Sequence, residues 1–336
     1  MTSELPARVY EFLDNAGWSG AEIAPLPGDA SFRRYFRVRA GDSDKGERRA
    51  ILMDAPPPHE DPKPFLHVAK WLTANGHRAP DIFAEDAERG LILIEDFGHD
   101  RMRDWLDDNP QEEHRAYADA IDALAALHRC NPGPFAPYSL ETYLKEVSLF
   151  PDWFAPVAGI EVDAMGFLAA WRAVLGPLLL RQQPGVTVLR DYHAENIMLL
   201  GSRGEYSGEQ GLIDFQDALV GHPAYDLVSL LQDARRDVSL ELESNMLDRY
   251  RNSIGTDETF DADYARLGAQ RNAKIIGIFA RLWKRDDKPR YLSMIPRVWE
   301  AMERDLENPA LAPIARWFDA NVPDDIRANR GSGLGE

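Results

Sequence analysis

The chain has 336 residues, which exceeds the roughly 250–300 residues at which a single hydrophobic core usually divides, so we expect two domains. Hydrophobic residues make up 44% and charged residues 28%, proportions that exclude collagen-like, fibrous and wholly disordered proteins. The formal net charge of −18 would repel phosphate backbones, which argues against nucleic acid as a partner.

The sequence contains few signals for targeting or oxidation. Its start lacks a basic stretch followed by an apolar one, and no apolar run approaches the roughly 18 residues needed to cross a bilayer. Cys130 is the single cysteine, so an internal disulfide and a zinc site of several cysteines are both excluded. These features predict a cytoplasmic protein with no membrane partner.

The first hundred residues are rich in predicted strands. Apolar residues at helical spacing predict a helix over 5–16, which ends at Gly17, and a second helix over 64–75. Alternating or continuous apolar patterns predict three strands, over 31–39, 49–54 and 91–95. Residues 96–98 are predicted to form a hinge that follows the last of these strands.

From residue 101 onward the hydrophobic pattern is mostly helical. Helices are predicted over 110–130, 139–150, 162–182, 223–235, 239–253, 259–285, 291–304 and 310–320. A small group of strands interrupts them, over 186–189, 197–200 and 211–214. The Gly-rich stretch 201–211 is predicted to connect a hairpin, and the tail 322–336, which has no periodicity, is predicted to be mobile.

The most informative segment is LRDYHAENIML at 189–199, followed by LIDFQD at 212–217. It places Asp191 and Asn196 five residues apart in a loop between apolar strands, with Asp214 at the end of the next strand. Oxygen ligands near a carboxylate suit a hard cation. Phosphoryl transfer from ATP needs the same set, because a metal offsets phosphate charge and a carboxylate accepts the hydroxyl proton. The order of these groups predicts a kinase, with Asp191 as base and Asn196 and Asp214 as magnesium ligands.

The same residues allow a second interpretation. Asp191, Tyr192 and His193 form D-x-H, a pattern that opens metallophosphoesterase sites. Such sites need further Asp, Asn and His ligands at strand ends, and His222 is the one suggestive residue downstream. The motifs of P-loop NTPases, zinc proteases and serine hydrolases are absent.

The segment VLRDYHAENIML…GLIDFQDALVGHPAYDLVSLL resembles the aminoglycoside phosphotransferase and choline kinase superfamily. A narrower group, the bacterial anomeric kinases of N-acetylmuramate and N-acetylglucosamine in cell-wall recycling, is similar over four further stretches. These are GDASFRRYFRV (28–38), ILMDAPPPHED (51–61), LILIEDFG (91–98) and IIGIFARLWKRDDKPRYL (275–292). The resemblance covers roughly residues 5–320.

The resemblance implies an α+β, two-lobed protein-kinase-like fold with a small antiparallel-sheet lobe and a large helical lobe. Its implied parts are a nucleotide-binding lobe over 1–96, a helical catalytic and substrate lobe over 97–320, and a mobile tail over 321–336. The implied activity is phosphorylation of the anomeric C1 hydroxyl of these sugars by a monomer that uses ATP and Mg²⁺. An aminoglycoside or choline-like phosphotransferase and a nucleotide-binding pseudokinase are the alternatives, the first because an acidic protein suits a cationic substrate.

Site residues follow from the resemblance position by position. Asp191 matches the base, and Asn196 and Asp214 match the metal ligands. The turn that covers the nucleotide phosphates matches Gly28, Asp29, Ala30, Ser31 and Phe32. The backbone that binds adenine matches Glu95, Asp96 and Phe97. Asp226 matches a carboxylate that supports the catalytic loop, although an acidic residue at a helix N-terminus would also explain it.

Three departures from the family pattern stand out. Met53 occupies the strand position of the lysine that usually holds the phosphates. Leu189 or Arg190 replaces the histidine that usually precedes the base, and the metal turn is DFQ rather than DFG. The first departure leaves the phosphates without their usual cation and keeps the pseudokinase interpretation open.

The alternation of side chains along the strand 31–39 points to an arginine that could replace the missing lysine. Side chains alternate along 31–39, and Arg34 is the one charge on a face whose other members are apolar. We therefore predict that Arg34 binds the ATP phosphates, unless it meets only solvent or pairs with Glu60. Arg33 and Arg37 lie on the opposite face and are expected to contribute less.

A basic cluster follows the apolar part of the predicted helix 259–285. It contains Arg281, Lys284 and Arg285. N-acetylmuramate is anionic and needs a local cation, which this cluster could provide. The alternative is a solvated helix end.

Overall fold

The computed structural model describes residues 5–27, 32–42, 46–202 and 205–334. The chain divides into two compact units. The smaller unit contains the residues up to Arg101 together with Ile197–Asp217, and the larger unit contains Met102–Asn196 and the residues from Ala218 onward. The predicted boundary at residue 96 had left 197–217 with the helical part, whereas the structure places this segment with the sheet.

A five-stranded antiparallel sheet forms the centre of the smaller unit, with strand order β1-β2-β3-β5-β4. Its strands are β1 (Glu22–Pro25), β2 (Arg34–Asp42), β3 (Gly46–Asp54), β4 (Ile82–Asp86) and β5 (Leu91–Glu95). Helix α1 (Ala7–Asn15) precedes the sheet, and α2 (Lys63–Ala74) lies between β3 and β4 in the chain. The strands β1 and β4 were not predicted, because both are short and none of their residues is fully buried, so they lack the continuous apolar run that marks β5.

One face of this sheet packs against α1. The buried cluster on that face consists of Val9, Phe12, Leu13, Trp18, Phe36, Val38, Ala40, Ala50, Leu52, Leu91 and Leu93. The predicted parity of β2 is therefore confirmed for Phe36 and Val38, which point into this core. The opposite face carries Tyr35, Met53 and Ile92, which are cross-strand partners.

The hairpin of β7 (Ile197–Ser202) and β8 (Glu205–Leu212) completes the smaller unit. The Gly-rich stretch 201–211, predicted to be a connection, is mostly strand β8. Buried Tyr206 and the pairing of β8 with β7 outweigh the turn preference of its glycines. Gly211 is required for packing, because a Cβ there would lie 2.5 Å from the Phe97 ring.

The larger unit is built from helices. They are α3 (Met102–Asp108), α4 (Glu113–Arg129), α5 (Leu140–Val147), α6 (Ala155–Val157), α7 (Ala164–Arg181), α8 (Ala224–Leu231), α9 (Leu240–Ile254), α10 (Phe260–Asp286), α11 (Ile295–Leu306), α12 (Ala312–Asn321) and α13 (Asp324–Ala328). Two short strands, β6 (Val186–Val188) and β9 (Leu219–Gly221), pair with each other. The long helix α10 packs against α5, α8 and α11 and so forms the spine of this unit.

Two expectations for the larger unit are corrected by the structure. The tail predicted to be mobile contains α13, and its Arg327 pairs with Glu303 of α11, 2.5 Å apart. Helix α7 is long and apolar enough to cross a bilayer by length and composition, although the sequence was expected to contain no such run. Phe167 and Trp171 of α7 are fully buried. The ring centroids of Phe167 and Trp317 of α12 are 4.5 Å apart, so this face of the helix belongs to the core.

Candidate active site

The loop that follows β6 is held by Asp226 of helix α8. The Asp226 carboxylate accepts hydrogen bonds from the backbone N–H groups of Leu189 (2.7 Å) and Arg190 (2.8 Å). Arg190 has a positive φ of 72°, so these bonds stabilise a turn that is costly for a residue with a Cβ. Burial raises the pKa of Asp226 to about 7, although the two hydrogen bonds oppose this change. The structure confirms that Asp226 supports the loop.

Asp191 lies in this loop beside two cations of helix α10. The Nη2 atom of Arg271 is 3.8 Å from the Asp191 carboxylate, and Lys274 is a second source of positive charge. Partial loss of hydration alone would raise the pKa of Asp191, but the positive charges of Lys274 and Arg271 outweigh that effect and lower the pKa. The Asp191 side chain is 47% exposed, so it is both ionised and accessible.

A buried network fixes these cations. Lys274 pairs with Glu146 of α5 at 3.1 Å and donates to the hydroxyl of Tyr225 at 3.3 Å. Arg190 also pairs with Glu146. Arg271 donates to the Ser229 hydroxyl at 2.7 Å. Sequence reasoning missed Arg271 and Lys274, although two cations three residues apart inside an apolar helix are a signal that points to a buried charged site.

Asn196 closes the loop on itself. Its Nδ2 donates to the Asp191 carbonyl at 3.0 Å, so the amide oxygen is the side-chain atom that suits a cation. His193 is buried, which lowers its pKa to about 4 and keeps the imidazole neutral. The other predicted histidine, His222, lies 3.3 Å from Asp263.

The metallophosphoesterase interpretation finds no support in this arrangement. Within the residues that the structure describes, no three His, Cys, Asp or Glu side chains are grouped so that they could hold a metal ion. A kinase-type magnesium site is different, because one carboxylate, one amide and the oxygens of a phosphate suffice to hold the ion.

Asp214 belongs to the smaller unit, directly after β8. It has a positive φ of 59°, and Gln216 donates to its carboxylate at 2.8 Å. The next residue, Phe215, is buried and stacks on Phe65 of α2 with the ring centroids 5.1 Å apart. Asp214 therefore presents a fixed carboxylate oxygen, the donor type that magnesium prefers.

The predicted phosphate turn is described in part. Gly28, Asp29, Ala30 and Ser31 lie outside the described residues. Phe32 is 68% exposed, its ring stacks on His59, and its backbone N–H donates to Glu60 at 3.2 Å. The end of this turn is thereby tied to the segment between β3 and α2.

The partner of Arg34 differs from the predicted one. Arg34 pairs with Asp54, a fully buried carboxylate that also binds Arg8 of α1 at 2.7 Å. The parity prediction placed Arg34 on the correct side of the strand, but this is the side that packs against α1. Glu60, named as an alternative partner of Arg34, pairs with Arg33 instead.

The predicted adenine segment is braced by its side chains. The Glu95 N–H donates to the Asp81 carbonyl at 2.9 Å, so this N–H serves the sheet. The Glu95 carboxylate pairs with Arg78, whose guanidinium lies 4.7 Å from the centre of the Phe97 ring. The buried side chain of Arg37 binds Asp96 through two hydrogen bonds of 2.6 and 3.0 Å.

The predicted substrate cluster lies at the end of α10. Arg285 pairs with Asp286 at 2.7 Å. Arg281 is half-buried, and burial together with Arg285 lowers its pKa. Its Nε is buried and has no hydrogen-bond partner within the described part of the chain. Arg281 follows Lys274 by seven residues, which places both on one face of the helix about 10 Å apart along its axis.

Residues 22–269 match the phosphotransferase enzyme family, which accounts for most of the chain. The chain belongs to this family. The N-acetylmuramate/N-acetylglucosamine kinase of Caulobacter vibrioides is 36% identical, and the alignment covers 97% of this chain and 99% of that protein. The kinase of the same name from Pseudomonas aeruginosa is 37% identical, with 93% of each chain covered.

Solved structures show the same fold. A choline kinase from Streptococcus pneumoniae superposes with a TM-score of 0.64 at 12% identity, over 91% of this chain and 98% of that one. An ADP-bound aminoglycoside phosphotransferase superposes with a TM-score of 0.60 at 16% identity, over 94% and 99%. The predicted α+β, protein-kinase-like fold and the predicted superfamily are both confirmed.

Proposed function

We propose that this phosphotransferase transfers the γ-phosphoryl group of ATP to the anomeric hydroxyl of N-acetylmuramate or N-acetylglucosamine. The setting of Asp191, an accessible carboxylate that the charges of Arg271 and Lys274 keep ionised, is the observation that carries the proposal. Support for the sugar comes from relatives named N-acetylmuramate/N-acetylglucosamine kinase, which match nearly the whole chain at 36–37% identity.

In this mechanism, Asp191 accepts the proton of the C1 hydroxyl while that oxygen attacks the γ-phosphorus. A new P–O bond forms to the sugar, the P–O bond to ADP breaks, and the products are a sugar 1-phosphate and ADP. Asp226 and Asn196 hold the loop so that the carboxylate keeps its position. Arg271 and Lys274 keep Asp191 deprotonated before the reaction.

Magnesium would be held by the Asp214 carboxylate and the Asn196 amide oxygen, with the remaining ligands from ATP and water. When bound, the ion would offset the negative charge of the phosphates. The nucleotide would lie under the turn from Gly28 to Phe32, and adenine would bind the backbone of Glu95–Phe97.

Arg281 would bind the carboxylate of N-acetylmuramate. Its buried Nε has no hydrogen-bond partner within the described residues, and an anionic ligand would supply an acceptor for this half-buried cation. Lys284 and Arg285, also predicted from the sequence, would contribute less, because Arg285 already pairs with Asp286. We further propose that the enzyme acts as a monomer in the cytoplasm, where ATP and small sugars are both present.

The test is to incubate the protein with ATP, magnesium and a panel of acceptors, and to identify products by mass. We expect phosphorylation of N-acetylglucosamine or N-acetylmuramate, and no reaction with the 1-deoxy analogue, which lacks the accepting hydroxyl. Phosphorylation of that analogue, or a higher kcat/KM for kanamycin or choline, would contradict the choice of substrate. Failure to phosphorylate any acceptor would favour the pseudokinase.

A further inference from the structure

The sheet face that carries Met53 lacks the cation that kinases of this kind place beside the phosphates. Met53 is fully buried between its cross-strand partners Tyr35 and Ile92. Magnesium alone would then neutralise the triphosphate, whereas comparable enzymes add a lysine that is paired with a glutamate of the following helix. A substitute has to project from the same face, near the turn that covers the phosphates.

Arg33 meets both conditions. Arg33 directly precedes β2, and its side chain hydrogen-bonds to that of Tyr35, which shares the Met53 side of the sheet, opposite to the core with α1. It is also adjacent in sequence to the predicted phosphate turn, which runs from Gly28 to Phe32. The sequence analysis expected Arg34 to contribute more than Arg33, but Arg34 lies on the side of the sheet that packs against α1.

A carboxylate holds Arg33 in the way that the usual lysine is held. The Nε atom of Arg33 donates to Glu60 at 3.0 Å, and both side chains are mostly buried, with exposures of 14% and 16%. Glu60 precedes α2 by three residues and also accepts the backbone N–H of Phe32. One carboxylate therefore fixes both the guanidinium and the end of the turn.

The surroundings place this ion pair close to the proposed metal ligand. Burial raises the pKa of the Tyr35 hydroxyl, Arg33 opposes this effect, and the charge of Asp214 adds to it. Arg33, Tyr35 and Asp214 thus lie within one electrostatic neighbourhood of the smaller unit. The stacking of Phe65 on Phe215 packs α2 against the turn that carries Asp214.

We propose that Arg33, positioned by Glu60, binds the phosphates of the nucleotide in place of the lysine that Met53 replaces. The inference rests on the proposed function and adds a nucleotide-binding residue to it. A guanidinium has five N–H donors in a planar fork, a geometry that suits it to phosphate oxygens. Within β2, Arg34 pairs with Asp54 and Arg37 pairs with Asp96.

The test measures the affinity of the full chain for ADP with magnesium, by calorimetry, alongside sugar turnover. Arg33→Gln should raise the Kd for ADP about 10–100-fold, the loss expected for a charge-assisted contact. Arg33→Lys should recover much of this affinity, and Glu60→Gln should raise the Kd by a smaller factor. Arg49→Ala, which removes an exposed ion pair with Glu47 in the same sheet, is the matched control and should leave the Kd unchanged.

The outcomes separate the two proposals. A wild-type protein that phosphorylates the sugar, with an Arg33→Gln variant whose Kd stays within threefold, overturns the role of Arg33 alone. A larger loss of ADP affinity in Arg34→Ala than in Arg33→Gln would also overturn the role of Arg33. A wild-type protein that binds ADP but phosphorylates nothing contradicts the proposed function while Arg33 is still tested by binding. If Arg33→Gln does not fold, the Kd for ADP is measured with Arg33→Lys and Glu60→Gln instead. An unchanged Kd in both variants would contradict the role of Arg33.

Discussion

Asp191 and Asp214 belong to the same sequence motif, yet different groups surround them in the structure. Asp191 lies beside two cations, Arg271 and Lys274, which lower its pKa. Asp214 is held by the neutral amide of Gln216 and lies near the hydroxyl of Tyr35. A proton acceptor benefits from nearby positive charge, because it stays ionised. A metal ligand depends instead on an oxygen that is held in position, which the hydrogen bond from Gln216 provides for Asp214.

The largest expected effect tests the Asp191 half of this comparison. Asp191→Asn removes the proton acceptor and keeps the shape, so kcat should fall about 10²–10⁴-fold. Affinity for ADP should stay within a few-fold, because the base acts in the transition state. Steady-state kinetics and calorimetry measure the two effects. A variant that keeps more than about a tenth of wild-type kcat would remove Asp191 from the role of base.

The Asp214 half of the comparison predicts a different phenotype. Asp214→Ala and Asn196→Ala each remove an oxygen ligand, so each should raise the magnesium concentration for half-maximal rate at least about tenfold. Asp191→Asn should leave the dependence of its residual rate on magnesium unchanged. Magnesium titrations at saturating ATP make the comparison. Wild-type magnesium dependence in both ligand variants would contradict the metal assignment.

The next largest effect is expected when the Asp191 loop loses the support of Asp226. Asp226→Ala leaves the N–H groups of Leu189 and Arg190 without their acceptor, which should lower the free energy of unfolding by about 1–3 kcal/mol. The rate should fall as well, because the loop loses its anchor. Chemical denaturation measures the first effect, with Asp122→Ala, which breaks an exposed pair with Arg249, as the control. Equal stability of the two variants would show that Asp226 is not an anchor.

The proposed contact between Arg281 and the sugar carboxylate can be tested with two natural sugars. Arg281→Gln should raise the KM for N-acetylmuramate about tenfold, since a charge-assisted contact to its carboxylate is lost. The KM for N-acetylglucosamine, which has no carboxylate, should stay within twofold. The ratio of the two values is an internal control. An equal increase for both sugars would indicate that Arg281 acts through the fold and not through the carboxylate.

The smallest effect concerns pH. Removal of a cation in Lys274→Met raises the pKa of Asp191 toward or above its ordinary value, because that cation had favoured the ionised carboxylate. More of the base is then protonated in mild acid, so the acid limb of kcat/KM should move to higher pH. Lys145→Met, on the exposed face of α5, is the control and should leave the limb in place. A limb that moves to lower pH would contradict the proposed electrostatics.

Much of the helical part could be predicted from the sequence, because long amphipathic segments such as α4 and α10 repeat their apolar residues over several turns. The strand β9 was missed, since a three-residue strand has no measurable period. The Asp191 loop was found because its spacing is a local property of the chain. Lys274 was not linked to Asp191, because that contact joins residues more than eighty positions apart.

Arg33 and Arg34 show what the alternation of side chains along a strand can and cannot predict. Alternation fixes which residues of β2 share a face, and this part of the prediction is confirmed by Phe36 and Val38. It does not say which face packs against α1, and that choice depends on Arg8 of α1 reaching Asp54. An apolar face was taken as the nucleotide side, whereas an apolar face equally describes the side of a sheet that carries a helix.

The hairpin β7–β8 has a consequence for how the protein is made. The smaller unit needs this hairpin, because Leu212 donates to the Arg78 carbonyl and Leu199 donates to the Asp100 carbonyl, both at 2.8 Å. A ribosome that has synthesised residues 1–101 has therefore not yet supplied all the partners of that unit. It must first produce 102–196, so the N-terminal unit is completed late in translation. A gene cut after Arg101 would encode a sheet whose carbonyls at Arg78 and Asp100 have lost their donors.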